Sequence, residues 1–352
     1  MSKSILFALT TMLLLLKLVA INITSFDLFG DEAQYWLWSK DLNFGYFSKP
    51  PFLAWMISFY TGVFGDSFFA LKTMPIIVYF LIAWSVYVLC NNMGLDKSNS
   101  ISCSLIFLIL PAVSVSTFII STDIFLLLFW CLSLNELVKI KIKPNIKSFV
   151  LLGVFLGLAF LSKYAAIYFI ICLLLYVLLD KKFREVFIKN YFGFLLSAFC
   201  IITILLPNIF WNINNGWITV VHTSDNANLN NIDINLLRGL LFLFTQILML
   251  GPIIFFAYIV DYKKWSISEY QKLLLIFSLP IFIIVTFEAI VVRANANWAA
   301  PALISFFIFL YISVNNNFLK KLNLGFNFFF CIIFFVLIGT NFSSGFFNRI
   351  SG

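Results

Sequence analysis

Charge is what this sequence has least of. Of its 352 residues, 11% are Asp, Glu, Lys or Arg, only 15 are acidic, and His222 is the single histidine. With 62% hydrophobic residues and a mean hydropathy of +1.02, that scarcity excludes a soluble globular domain. One histidine excludes a His-rich metal centre. The six cysteines (Cys90, Cys103, Cys131, Cys172, Cys200 and Cys331) lie in or at the ends of apolar runs without metal-ligand spacing, and read as small hydrophobes. No Walker-type Gly-rich loop points to ATP hydrolysis. No Gly-x-Ser-x-Gly elbow is present. Internal repeats, low-complexity linkers and long polar stretches are missing too. The expectation is one membrane-embedded domain over residues 1–352, without a soluble C-terminal domain.

What the sequence has in quantity is apolar runs. A bilayer core takes roughly 20 apolar residues per helix, and irregular backbone cannot face lipid. The class is therefore all-α, a polytopic integral membrane protein. The first run, 5–23, follows Lys3 but lacks an evident small-residue cleavage site, so it reads as a retained helix. Further runs at 68–89, 101–118, 124–138, 149–161, 165–179, 191–210, 236–260, 273–292, 301–314 and 326–340 bring the expected count to about eleven spans. The loop after the first run is not plain coil. Aromatic residues recur at helical spacing over 33–42, and Pro50-Pro51 starts a second amphipathic stretch over 52–63. Two interfacial helices are expected there.

The net charge of +8 comes from Lys and Arg in short loops, which points to topology and not to nucleic acid. Lys139, Lys141, Lys143 and Lys147 share one loop. Lys181, Lys182, Arg184 and Lys189 share another, Lys263, Lys264 and Lys272 a third, and Lys320 and Lys321 a fourth. The expected spans put all four on one side, with Lys3 and Lys97, and that side is cytoplasmic. The loops holding Asp31, Asp123, Lys163, His222 and Arg293 then open on the opposite face. The expected location is the plasma (inner) membrane, with the site facing the periplasm or exterior.

Asp31-Glu32 is the most informative pair on that face. Adjacent carboxylates at the mouth of a membrane bundle suit a positioned base facing a lipid-linked substrate; the lesser reading of Asp31 is a cap on a short helix, and one residue can do both. Lys49, just before the two prolines, either snorkels to water or meets a phosphate leaving group. Asp123 opens a span and has the chemistry of an N-cap. Lys163-Tyr164 interrupts a long apolar run, where a lysine needs water or a partner. His222 reads as a loop residue or a substrate contact. Arg293 reads as an interfacial anchor or a forked phosphate contact. Tyr35, Trp36 and Trp38 could stack on a sugar or prenyl chain, or anchor at the interface.

Two segments carry a resemblance. Asp31-Glu32-Ala33-Gln34-Tyr35-Trp36-Leu37-Trp38-Ser39, followed by Gly45-Tyr46-Phe47-Ser48-Lys49-Pro50-Pro51-Phe52-Leu53-Ala54-Trp55, resembles the first outer loop of glycosyltransferase family 39, membrane transferases of the C-type (GT-C) fold. Ser121-Thr122-Asp123, the run from Gly157 to Tyr164, Pro207 to Asn212 with Gly216-Trp217, and Ala296-Asn297-Trp298-Ala299-Ala300-Pro301 agree in order. The resemblance implies a polyprenyl-phosphate sugar donor and transfer at the outer leaflet. It makes Asp31 the family's first-loop acid, Lys49 a lysine near the donor phosphate and Asp123 a second acid. Glu32, Tyr35, Lys49, Lys163, Tyr164, His222, Arg293 and Asn297 are the expected substrate contacts. Some relatives carry an acid before the Lys-Pro-Pro where Ser48 stands here, which weakens a metal held at that position. No cofactor is fixed by the sequence, and a divalent cation is left open.

Two function classes follow. One is an inverting glycosyltransferase passing a sugar to an envelope lipid (such as lipopolysaccharide), glycan or protein acceptor. The other is a lipid or sugar-lipid transporter, which predicts charges spread through the membrane depth and helices broken at its middle. The clustering of candidates at one face favours the enzyme.

Overall fold

The computed structural model describes residues 3–227, 232–261 and 267–340; Lys263, Lys264 and the chain end past Thr340 lie outside them. Eighteen α-helices and no strand occur among the described residues.

After α1 (Lys3–Ile23) come the two short helices expected in the first loop, α2 (Gly30–Trp38) and α3 (Phe52–Phe64). α2 begins earlier than the aromatic spacing indicated. The Phe29 N–H donates to Glu32 Oε2 at 2.9 Å, which satisfies a free group ahead of the first turn. α4 (Phe68–Asn92) starts where the Ser67 hydroxyl accepts from the Ala70 N–H at 3.1 Å. The expected span 101–118 is divided into α5 (Lys97–Phe107) and α6 (Pro111–Ser116). Pro111 has no N–H to continue α5 and is well suited to open a new helix.

α7 (Thr122–Ile142) has no distinct polar face and is buried along most of its length. α8 (Ile146–Ser162) runs back along it and also packs on α11 (Tyr191–Asn214). Glycines permit that approach. A Cβ on Gly153 would stand 2.4 Å from the Ser197 carbonyl, and one on Gly157 2.9 Å from Ile204 Cβ. The intervening α9 (Ile167–Leu179) and α10 (Lys181–Lys189) meet at 108°.

Beyond α12 (Ile218–Ala227), α13 (Leu236–Leu250) and α14 (Pro252–Val260) meet at 95°. Gly251 with φ +93° ends the first and Pro252 opens the second, so the expected straight run 236–260 is an elbow. α15 (Glu269–Ile276) and α16 (Leu279–Val291), then a 3₁₀ turn (Ala296–Ala299) leading into α17 (Ala300–Ser313), and finally α18 (Asn317–Gly339) complete the bundle.

Six segments among the described residues are long and apolar enough to cross a membrane, and eight if each bent pair is one span. Eleven were expected. The difference lies in the divided and bent runs, in short α8, and in α7, whose length carries Asp123, Glu136, Lys139 and Lys141. The outer surface is a lipid surface. Trp84, Phe192 and Phe199 are 66%, 71% and 66% exposed, which water would not tolerate in such number.

The bundle has two chemically distinct ends. Asp123 and Lys141 stand on α7 about 27 Å apart, at 1.5 Å per residue. At the Lys141 end the basic loops converge: Lys141 lies 3.4 Å from Glu269, Lys182 also bonds Glu269, and Lys272 donates to the Leu179 carbonyl at 2.6 Å. Asp123 marks the other end.

Candidate active site

Asp123 is the hub of the site. Its position in the first turn of α7 places its charge near free backbone N–H groups and the positive end of the helix dipole. Oδ1 accepts from Lys163 Nζ at 2.7 Å, and Oδ2 from the Asn297 amide at 2.8 Å. One carboxylate thus ties the start of α7 to the end of α8 and to the 3₁₀ turn before α17. Lys163 lies where α8 stops, so the lysine that the apolar run could not house is paired at the bundle's end.

Asp31 and Glu32 have opposite environments. Glu32 is 1% exposed and Lys72, on α4, is 0% exposed. Lys72 Nζ lies 2.7 and 2.6 Å from the two Glu32 oxygens and donates to the Phe118 carbonyl at 3.0 Å. The Ile120 N–H adds a bond to Glu32 Oε1 at 2.7 Å, and the Phe29, Phe68 and Phe118 rings enclose the ammonium at 5.0, 5.5 and 4.4 Å. Glu32 is therefore corrected from a substrate contact to an anchor, because both its oxygens are already occupied and water does not reach them. Asp31, one residue earlier, is exposed on the outer face of α2 and accepts no hydrogen bond from any described residue.

Tyr35 is also corrected. It is buried against Trp38, with ring centroids 5.6 Å apart, and offers no surface for stacking. Burial pushes its phenol above the ordinary tyrosine value, and the charges of Asp31, Asp123 and Glu32 add to the effect. It remains protonated among three carboxylates.

Lys49 projects from the loop between α2 and α3. That loop is held from behind. The Asn208 amide on α11 donates to the Phe44 carbonyl at 2.6 Å, and the Thr219 hydroxyl on α12 to the Tyr46 carbonyl at 2.6 Å. The Tyr164 hydroxyl donates to Asn208 Oδ1 at 3.0 Å and accepts from the Asn212 amide at 3.2 Å. Tyr164 is thus part of the clamp. Lys49 and Lys163 line one cavity of about 310 Å³ with Ser48, Tyr164, Tyr168 and Glu288. Burial lowers the Lys49 pKa, the Lys163 charge lowers it further, and Asp31 and Asp123 pull it back up. Lys49 thus feels the charges of Lys163, Asp31 and Asp123. Asp123 and Asn297 also border a larger apolar cavity of about 560 Å³ between α6, α13 and α17.

Arg293 stands exposed in the segment after α16, four residues ahead of Asn297, and no described residue brings it to the Lys49 cavity. His222 on α12 packs on Phe47, with ring centroids 4.6 Å apart and planes at 63°, and does not line that cavity. No three His, Cys, Asp or Glu side chains gather as metal ligands among the described residues. Lys72 and Glu288 escaped sequence reasoning because both sit inside apolar helices with no local pattern. The only available signal for either was the cost of a charge in a membrane run.

The arrangement joins a free carboxylate, a free ammonium and a charge-paired Asp–Lys couple beside apolar cavities. Residues 48–211 match the family profile described as dolichyl-phosphate-mannose-protein mannosyltransferase. A lipid A galacturonosyltransferase of Rhizobium johnstonii, RgtD, is 31% identical over 303 residues, covering 82% of this chain and 61% of the relative. In fold, the chain is similar to ArnT of Cupriavidus metallidurans bound to undecaprenyl phosphate, with TM-score 0.68, 15% identity, and 89% and 60% of the two chains covered. It is also similar to the Archaeoglobus fulgidus oligosaccharyltransferase, with TM-score 0.53, 13% identity, and 95% and 55% covered. The chain spans about 60% of the length of the first two relatives. Profile, relative and fold agree with the resemblance carried by the first-loop motif: the chain is similar in sequence to membrane glycosyltransferases of the dolichyl-phosphate-mannose-protein mannosyltransferase type and shares the C-type fold.

Proposed function

We propose that this chain transfers a sugar from a polyprenyl-phosphate donor to the headgroup of an envelope glycolipid of the lipid A type, at the non-cytoplasmic face of the inner membrane. The donor phosphate lies at the Lys49 cavity and its tail in the apolar space beside it. The acceptor hydroxyl oxygen attacks the anomeric carbon. The bond from that carbon to the phosphate oxygen breaks, its electron pair leaves with polyprenyl phosphate, and the configuration inverts. Asp31 takes the acceptor's proton.

Lys49 stabilises the charge growing on the departing phosphate. Lys163 is already neutralised by Asp123, so it shapes the field while Lys49 faces the phosphate. Asn297 keeps Asp123 oriented. Arg293 and His222 contact the headgroups of donor or acceptor from the rim. Lipid A galacturonosyl transfer by the Rhizobium johnstonii relative and undecaprenyl phosphate binding by ArnT support this choice of donor and acceptor.

The observation that carries the reading is the contrast between the two neighbours: Glu32 is fully engaged, and Asp31 is left without a partner in the field of Lys49. The test is Asp31→Asn in purified protein supplied with polyprenyl-phosphate sugar and lipid A. Transfer should fall by about 10²- to 10⁴-fold, with thermal unfolding unchanged. Undiminished turnover would remove Asp31 from the chemistry.

A further inference from the structure

The Lys49 cavity holds one acid that the chemistry at Asp31 does not use. Glu288 lies three residues before Val291, the last of α16, about 4.5 Å from the helix end at 1.5 Å per residue. It lines the same space as Lys49 and Lys163, so it stands at headgroup depth and not in the hydrocarbon. Its neighbour Phe287 is 67% exposed on the lipid side. Glu288, about 100° further round the helix, is half-buried and turned to the cavity. Its carboxylate has no hydrogen-bond or ion-pair partner among the described residues, yet its oxygens are not sealed in, so a ligand can reach them.

The cations around this space are already committed. Lys163 lies 2.7 Å from Asp123 Oδ1. Lys49 faces the donor phosphate in the proposed reaction. No other described basic side chain lines the cavity. A carboxylate on the donor's sugar would therefore find no free cation there, and would meet the free anion of Glu288. Two like charges a few ångströms apart in a partly buried site repel strongly. Sugar hydroxyl groups do the opposite, because they donate hydrogen bonds to a carboxylate. Trp298 and Tyr168 line the same space and are half-buried. Each presents an apolar ring with a polar tip, the kind of wall that suits the C–H face of a sugar.

We propose that Glu288 and Trp298 form the subsite for the donor's sugar, and that Glu288 restricts it to sugars without a carboxylate. The Glu288 oxygens accept from the sugar's hydroxyl groups, or from an amino group on a sugar that has one. The phosphate stays on Lys49, and Trp298 covers an apolar face of the ring. A uronic acid in the same place sets its carboxylate against Glu288 with no cation to offset it. The Rhizobium johnstonii relative is a galacturonosyltransferase, whose sugar carries that carboxylate; the subsite gives this chain a different donor. The inference rests on the polyprenyl-phosphate reading for the presence of a donor at the Lys49 cavity.

The test is donor retention by the purified protein, read by native mass spectrometry. The probes are polyprenyl-phosphate galactose, polyprenyl-phosphate galacturonate and polyprenyl phosphate alone. The two sugars differ only in the oxidation of their terminal carbon. Wild type should retain the galactosyl probe about tenfold or more over the galacturonosyl one. Glu288→Gln, which keeps the side chain's shape and removes its charge, should erase most of that ratio, chiefly by strengthening the galacturonosyl probe. It should leave retention of polyprenyl phosphate alone unchanged. Trp298→Leu should weaken both sugar probes and spare polyprenyl phosphate. Equal retention of the two sugar probes by wild type, an unchanged ratio in Glu288→Gln, or loss of polyprenyl phosphate from Glu288→Gln would overturn the assignment. So would a Glu288→Gln effect on retention of lipid A in place of the donor, which would put the carboxylate on the acceptor's side. Failure of the wild type to retain polyprenyl phosphate at all is a separate outcome: it removes the donor reading itself, and the subsite with it.

Discussion

Glu32 and Lys72 form an ion pair at 2.6 Å with side chains 1% and 0% exposed, and it fixes α2 against α4. The pair turns its neighbour Asp31 outward. A helix of nine residues makes successive side chains diverge by about 100°, so burying Glu32 commits Asp31 to the open side.

Removing one partner should be severe. Lys72→Met leaves the Glu32 charge buried and uncompensated, and should cost about 3–5 kcal/mol of stability. Lys72→Met with Glu32→Leu should recover most of it, since a buried pair often exchanges for apolar residues at little cost. Thermal or denaturant unfolding in detergent of the two variants checks both. Equal losses in the single and double variants would show that the pair is not what secures α2.

Lys49 gives a pH dependence. An ammonium is charged below its pKa, and burial with Lys163 nearby lowers this one from the usual 10.5. Donor binding should therefore weaken as pH rises, at a lower pH than an ordinary lysine would dictate. Lys49→Arg should move that limb to higher pH, because a guanidinium does not deprotonate in this range. The donor KM measured against pH for both proteins decides it. A limb at the same pH in both assigns the titration to another group.

Asn208 tests the clamp behind the first loop. Asn208→Ala strands the Phe44 carbonyl and one bond of Tyr164, and should cost about 1–3 kcal/mol. The loop carrying Lys49 should loosen. The donor KM should then rise more than kcat falls, and thermal unfolding should shift only modestly.

Gly153 tests the α8–α11 contact. A valine there must push apart backbone that already approaches within 2.4 Å of the added Cβ. Gly153→Val should destabilise by about 1–3 kcal/mol, measured by unfolding in detergent. Gly62→Ala, on α3 with nothing within 4 Å of its added Cβ, is the control and should not destabilise.

Much of this molecule was legible in one dimension. Long apolar runs admit only helices in lipid, and clustered loop lysines fix which loops share an end. Asp31, Lys49, Asp123 and Lys163 stood out because a charge in or beside a membrane run is costly and scarce here, and Asn297 because of the motif it stands in. Lys163 and Asn297, from two separate loops, meet at Asp123.

Pairing was beyond the sequence. Nothing in the run Gly30 to Trp38 says which of two adjacent acids will be buried. Lys72, 40 residues away inside an apolar helix, decides it. The Asn297–Asp123 bond spans 174 residues and the Asn208–Phe44 bond 164. The elbow at Gly251 and the division at Pro111 were hidden from it as well, because hydropathy counts apolar length and is blind to direction. The sequence by itself determined the solvent, the helices and the inventory of reactive groups, all of which follow from local composition. Only the tertiary structure decided which charges cancel and which remain free, because hydrogen bonds and Coulomb forces act over a few ångströms of space, whatever the separation along the chain.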